Sequence, residues 1–325
     1  MFLMTGDAKY MDVFERTLYN GFLSGVSLSG ERFFYPNPLE YDGKEVNNHG
    51  FADRAPWFGC ACCPPNVLRT LASLGGYAYA VRYRNLFVNL YAQGDAHADV
   101  NGTSVKISQK SNYPWDGSIK LTVDPATEEL FALCLRIPGW VQGKPLPSDL
   151  YTYDYPTPAL WTVKVNGAEV QPTLTNGYAV ISRLWKSGDT VALDLPMPVR
   201  RVAGNPKIAA TVGQVALERG PVVYAFEGLD NDNSVFDVSL PISAQVTAAF
   251  KADLLGGVTV LEVTGANRVL CKDSGGFEHK SISLIAIPYA TWNNRGLSPM
   301  TVWLGRDAEH VRPVPALRHP PGRTR

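Results

Sequence analysis

The chain has 325 residues, enough for two or three domains with substantial cores, and it carries 30 basic and 30 acidic residues. That balance, with no dense basic block before the last few positions, excludes the electrostatic footprint of a nucleic-acid-binding protein and fits a small-molecule or sugar substrate better. Its five cysteines fall as one cluster plus isolated Cys134 and Cys271, unlike a disulfide-rich secreted domain, so a reducing, cytoplasmic compartment is the expectation.

Residues 1–4 read as the last turn of a helix, with Gly6 as its C-cap and Asp7 as the next N-cap. They show no basic n-region or apolar leader, and no later run approaches the roughly 20 apolar residues of a membrane span, so neither export nor a membrane partner is expected. From residue 8 to 21, Tyr10, Val13, Phe14, Thr17 and Leu18 recur at helical spacing and predict a helix that buries that stripe, with Glu15 at its edge. Residues 25–35 read as a hairpin about a Ser29-Gly30 turn. A polar, glycine-rich loop follows, through Asn47, Asn48 and His49. The string Cys60-Ala61-Cys62-Cys63-Pro64-Pro65-Asn66 then opens a second helix, with proline in its first turn, Leu68, Leu71 and Leu74 on one face, and Gly75-Gly76 at its end.

After about Tyr83 the texture changes to short alternating or β-branched runs: 86–91, 105–107, 119–123 and 133–137, then 163–170 with an Asn166-Gly167 hairpin signal, 178–181 and 191–195. Leu195-Pro196-Met197-Pro198 marks a boundary. Runs at 215–217, 222–226, 258–263 and 282–287 predict a second β domain ending near Trp303. The expected division is a helical region at 1–82, β-sandwich domains at 83–200 and 201–304, and a disordered proline- and arginine-rich tail at 305–325.

The cysteine cluster is where the sequence points to specific chemistry. A thiolate is the form that binds metal and attacks carbon, and a helix N-terminus favours it. Cys60, Cys62 and Cys63 lack the spacing of a zinc ribbon, so a self-contained zinc finger is not expected. At an irregular helix entry two of them could flank one metal whose other ligands come from elsewhere. His49 is a further candidate, although a loop histidine is more often solvated. The competing role is packing, small cysteines filling a tight corner, and residue types alone do not separate the two. A redox role is disfavoured because no Cys-x-x-Cys spacing is present.

The string Trp57-Phe58-Gly59-Cys60-Ala61-Cys62-Cys63-Pro64-Pro65-Asn66, with Thr5-Gly6-Asp7-Ala8-Lys9-Tyr10 and Glu15-Arg16-Thr17-Leu18-Tyr19-Asn20-Gly21 before it, resembles the β-L-arabinofuranosidases of glycoside hydrolase family 127. Arg32-Phe33-Phe34-Tyr35, Arg219-Gly220-Pro221-Val222-Val223-Tyr224 and Asn294-Arg295-Gly296 match as well, so the similarity runs to about Leu304. The resemblance implies an (α/α)6 barrel followed by antiparallel β-sandwich domains. Residues 1–82 would then be the C-terminal helices of that barrel. It also implies a retaining mechanism with Cys62 as a zinc-bound nucleophile and Cys63 as a further zinc ligand, Cys60 being a neighbour without a ligand role. Glu15 and Tyr35 match positions that contact the sugar. Taken alone, Glu15 reads as a solvated or salt-bridged helix residue and Tyr35 as a strand aromatic.

In that family the acid/base glutamate and two more zinc ligands, a glutamate and a cysteine, precede the segment that matches Met1. The chain therefore reads as the C-terminal portion of a longer enzyme, with weak zinc affinity and little or no hydrolysis by itself. Glu31, in Gly30-Glu31-Arg32-Phe33, superficially resembles the acid/base motif, but its place beside a turn predicts solvation instead. The alternative function is a non-catalytic β-sandwich fragment that binds carbohydrate or holds a homodimer together.

Overall fold

The computed structural model describes residues 1–271 and 277–311, and within them the chain is mostly β sheet with few helices. The helices gather at the start: Phe2–Thr5, Lys9–Thr17 with a π turn at Leu18–Phe22, Cys63–Ser73 and Gly75–Ala78. Gly6 closes the first of them at a φ of 68°, a conformation that suits a residue without a Cβ. Asp7 then accepts the Lys9 amide hydrogen at 3.0 Å.

The buried face of Lys9–Thr17 only partly follows the predicted stripe: Leu18 is buried and Tyr10 and Phe14 are half-buried, but the face is shifted towards Met11 and Glu15. Ala8, Met11, Glu15 and Leu18 are buried, whereas Val13 is 45 % exposed and Thr17 lies at the surface. The physical reason is an ion pair: Glu15 turns inward to the buried Arg136, which rotates the helix relative to its apolar pattern. On Cys63–Ser73 the apolar residues sit where predicted, but Leu68 and Leu71 are 48 % and 40 % exposed. Among the described residues, no layer covers that face.

Two sheets form the middle of the chain. One runs Ala168–Val170, Thr162–Val165, Asp189–Asp194, Ser118–Pro125, Thr103–Ser111, Gly94–Val100, all antiparallel. The other runs Thr173–Thr175, Tyr178–Trp185, Glu129–Arg136, Asn85–Val88, Tyr79–Arg82, with one parallel pairing between Asn85–Val88 and Glu129–Arg136. Alternation along Ser118–Pro125 places Ile119, Leu121 and Val123 on the inner face. They share one apolar core with Leu133, Leu135 and Trp185 of the second sheet. The Asn166-Gly167 hairpin forms as predicted, both residues taking positive φ (51° and 83°), as a type I′ turn requires.

The third, eleven-stranded sheet is built around the long antiparallel pair Val258–Cys271 and Phe277–Pro288. It also draws in the helical region, because Glu40–Tyr41 pairs with Met300–Thr301. The loops between the two helical stretches are thereby fixed to the C-terminal β layer, which matters for the site below.

Residues 305–311 are folded, contrary to the expected tail. Gly305 pairs with Gln214 and Ser239, and Arg306 grips Asp154 through two bonds of 2.8 and 2.6 Å. A proline-rich composition hides such an anchoring charge pair. The rest of the expected tail, 312–325, lies outside the described residues.

The candidate active site at the cysteine corner

Two arms of chain meet at one corner. Phe33 and Ala55 exchange backbone hydrogen bonds of 2.8 and 2.9 Å, so Tyr35 just beyond Phe33 and the cysteine loop just beyond Ala55 leave from the same bridge. Asn48, fully buried, ties this bridge together. Its side chain accepts from the Tyr35 amide at 3.0 Å and donates to the Phe33 and Asp53 carbonyls at 3.1 and 2.9 Å. With donors and acceptor all used, a buried amide of this kind rigidifies its surroundings. The Tyr35 ring is held between His49 and Phe58, at centroid distances of 4.3 and 4.4 Å.

The Tyr35 hydroxyl donates to the Cys60 carbonyl and lies 3.8 Å from the Cys62 sulfur. Cys62 in turn stands 3.8 Å from the Cys63 sulfur. Cys60, Cys62 and Cys63 are all free and exposed. Cys62 occupies the N-cap position of Cys63–Ser73, with prolines next in the chain and its carbonyl taking a 2.8 Å bond from Asn66. The helix terminus offers partial positive charge there. Hydrogen bonding by the Tyr35 hydroxyl, and then by Cys63, holds the Cys62 thiol below its ordinary pKa. Desolvation, and then its bond to Cys62, pushes Cys63 the other way. The pair therefore ionises unequally, Cys62 losing its proton before Cys63.

The donor chemistry suits a soft divalent ion. Two thiolates at about 2.3 Å from a tetrahedral zinc stand roughly 3.8 Å apart, the separation found here for Cys62 and Cys63. The corner offers half a set: among the described residues, no group of three or more histidine, cysteine or acidic side chains is arranged to hold a metal. His49, the further candidate, packs against aromatic rings.

Comparison with known proteins reads the same residues independently. Residues 1–76 match the family model described as the GH127 β-L-arabinofuranosidase catalytic domain, 85–197 the GH127 middle domain, and 199–305 the glycoside hydrolase family 127 C-terminal domain. The chain is 33 % identical over 318 residues to the non-reducing end β-L-arabinofuranosidase of Bifidobacterium longum, covering 92 % of this chain and 45 % of that enzyme. The chain belongs to glycoside hydrolase family 127. Among solved structures, a GH127 β-arabinofuranosidase superposes with a TM-score of 0.90 at 43 % identity, over 96 % of this chain and 48 % of that one. A GH127 β-L-arabinofuranosidase from Geobacillus stearothermophilus gives 0.83 at 41 %, over 94 % and 47 %. The chain thus spans about half the length of these family 127 relatives.

Within this family 127 chain, the structure brings together Tyr35, Cys62 and Cys63 but not Glu15. Glu15 is 1 % exposed and already engaged: it takes bonds from Arg136, from the Tyr113 hydroxyl at 2.6 Å and from the Trp140 indole at 3.3 Å. None of these bonds reaches Tyr35 or a cysteine; Glu15 instead lines a cavity of about 830 Å³ together with Asp12, Arg16 and Trp140. Its neighbours are engaged as well. Arg16 pairs with Glu218, and Asn20 bonds the Pro221 carbonyl and the Val223 amide at 2.8 Å each. Two strings that carry the resemblance, around Glu15 and around Pro221, thus meet as a clamp between helix and sheet. Glu31 is exposed on its turn, as expected. Asn48 and Arg54, both buried, are the site-supporting residues that sequence reasoning missed. The signal for Asn48 was its place in a polar run flanked by the two aromatic strings.

Proposed function

We propose that this chain carries the nucleophile side of a retaining β-L-arabinofuranosidase site, with residues 1–82 contributing to an (α/α)6 barrel and the sheets to β-sandwich domains. The observation that supports it most is the pairing of the Cys62 and Cys63 sulfurs, 3.8 Å apart, beside the Tyr35 hydroxyl at a helix N-terminus. In this reading the Cys62 thiolate attacks the anomeric carbon of a terminal β-L-arabinofuranosyl group. A C–S bond forms as the bond to the leaving oxygen breaks, and water later displaces the thiolate, so two inversions give retention. Zinc held by Cys62 and Cys63 would keep both sulfurs as thiolates and make Cys62 a competent leaving group. Tyr35 directs the sulfur and offers a phenol to a sugar hydroxyl.

The recorded contacts of Tyr35, Cys62 and Cys63 include no carboxylate that could protonate the leaving group. Hydrolysis of an ordinary glycoside by this chain alone is accordingly weak or nil, and with two thiolates its zinc affinity is low. The catalytic-domain match spans the cysteine corner, which favours this reading over a non-catalytic carbohydrate-binding fragment. Zinc titration with metal analysis tests the ligand roles: uptake lost on both Cys62→Ser and Cys63→Ser supports them, and uptake unchanged by either substitution contradicts them.

A further inference from the structure

Arg54 is 1 % exposed and makes no ion pair among the described residues. It donates to the Ser24 carbonyl from Nε (3.3 Å) and Nη2 (3.0 Å), and to the Asn293 carbonyl from Nη1 (2.9 Å). Its guanidinium lies 4.5 Å from the centre of the Phe34 ring, which stacks on Trp292 from the C-terminal layer. A buried cation is expensive to keep unless its geometry is used. Here it links three segments: the end of the first helical stretch, the bridge beside Ala55, and the loop 292–295.

That loop is itself pinned. Glu227, 1 % exposed, accepts from the Asn293 amide at 2.5 Å and from Arg295 at 2.5 Å, and Arg295 also grips Asp230. The Asn294 side chain accepts from the Leu28 amide at 2.8 Å. The backbone of Arg54 receives a 2.8 Å bond from Arg32. Of these struts, the Arg54 side chain and the Arg32 bond to its backbone adjoin the Phe33–Ala55 bridge from which Tyr35 and the cysteine loop depart.

We propose that Arg54 is a positioning residue through which the C-terminal β layer, by Glu227 and Asn293, holds Tyr35 against Cys60 and Cys62. A lysine cannot reproduce it: a point ammonium on a flexible stem lacks the planar fork that reaches two carbonyls at once. The inference adds to the proposed function but is tested without glycoside hydrolysis, so either can fail alone.

The test is a double-mutant cycle read by iodoacetamide labelling of metal-free protein at neutral pH, assigned to single cysteines by fragment-ion mass spectrometry, with far-UV circular dichroism and thermal unfolding on every variant. Positioning predicts that Arg54→Lys lowers the Cys62 labelling rate relative to Cys63, and that Tyr35→Phe then has about five-fold less effect than in the parent chain. Glu227→Gln, which leaves Arg54 in place, should shift labelling in the same direction by less. If Arg54→Lys fails to fold, the Glu227→Gln and Tyr35→Phe pair carries the same cycle. Additive effects, or an unchanged Cys62 to Cys63 ratio in folded protein, would overturn the proposal and leave Arg54 a purely structural clamp.

Discussion

The Tyr35 hydroxyl stands 3.8 Å from the Cys62 sulfur while donating to the Cys60 carbonyl, so one phenol registers the cysteine loop and acidifies one of its thiols. A hydroxyl has a single hydrogen to share between these acceptors. Removing it should free the Cys60 carbonyl and withdraw the stabilisation of the Cys62 thiolate, while the Phe33–Ala55 bridge and Asn48 still hold the base of the loop. Tyr35→Phe is expected to slow iodoacetamide labelling of Cys62 several-fold at neutral pH, with little change in unfolding temperature. Labelling at the parent rate would show that the phenol does not govern this thiol.

Cys134 provides an internal contrast. Burial pushes its thiol up to about 12, so at pH 8 it remains protonated and shielded inside the five-stranded sheet. In native protein at that pH, labelling should reach Cys60, Cys62 and Cys63 and spare Cys134, which becomes reactive only on unfolding. Early modification of Cys134 would mean that its sheet opens readily.

The Glu15–Arg136 pair makes a stability prediction. Arg136 is fully buried and bonds Glu15 and Asp12, with the Asp12 contact at 2.7 Å. Arg136→Ala strands two carboxylates in the interior and should cost about 3–5 kcal/mol in urea unfolding. Glu15→Gln keeps the shape and one acceptor, and should cost clearly less. If Glu15→Gln instead left stability unchanged, its role as an anchor would be wrong.

Asp189 sets an acid limit for the middle sheets. Burial by itself raises its pKa, but bonds from Asn166 (2.7 Å) and the Lys186 amide (3.0 Å), and then the charge of Arg183, outweigh this and leave the folded value below 3.8. A depressed folded pKa contributes stability above the unfolded pKa, and that contribution is lost as pH falls through the folded one. Asp189→Asn should therefore lower stability at neutral pH and flatten its dependence on pH below about 4. Parallel pH profiles for the two proteins would contradict the assignment.

The strands were legible because alternation and Asn-Gly turns report local geometry directly: every β run predicted after about Tyr83 overlaps a strand, whereas the hairpin expected at 25–35 is reduced to an isolated Val26–Phe33 bridge. The cysteine corner was legible because its residues lie within one string. What stayed hidden depends on long-range charge burial. Glu15 and Arg136 are 121 positions apart, and their pairing turns the Lys9–Thr17 helix away from its apolar pattern. Arg54, whose donors go to backbone carbonyls 30 and 239 positions away, has no local pattern at all. Buried polar groups are chosen by their partners, which hydrophobic periodicity does not record.

The central claim, that Cys62 is the nucleophile, is tested most directly by mass spectrometry of the zinc-supplied chain after incubation with an aryl β-L-arabinofuranoside. An acidic phenol departs without protonation, so the first displacement can proceed at the corner even where general-acid help is missing. The account predicts one arabinosyl unit on the peptide containing Cys62, removed by Cys62→Ser and retained in Cys60→Ser. An adduct on another residue, or release of the phenol that persists in Cys62→Ser, would contradict it.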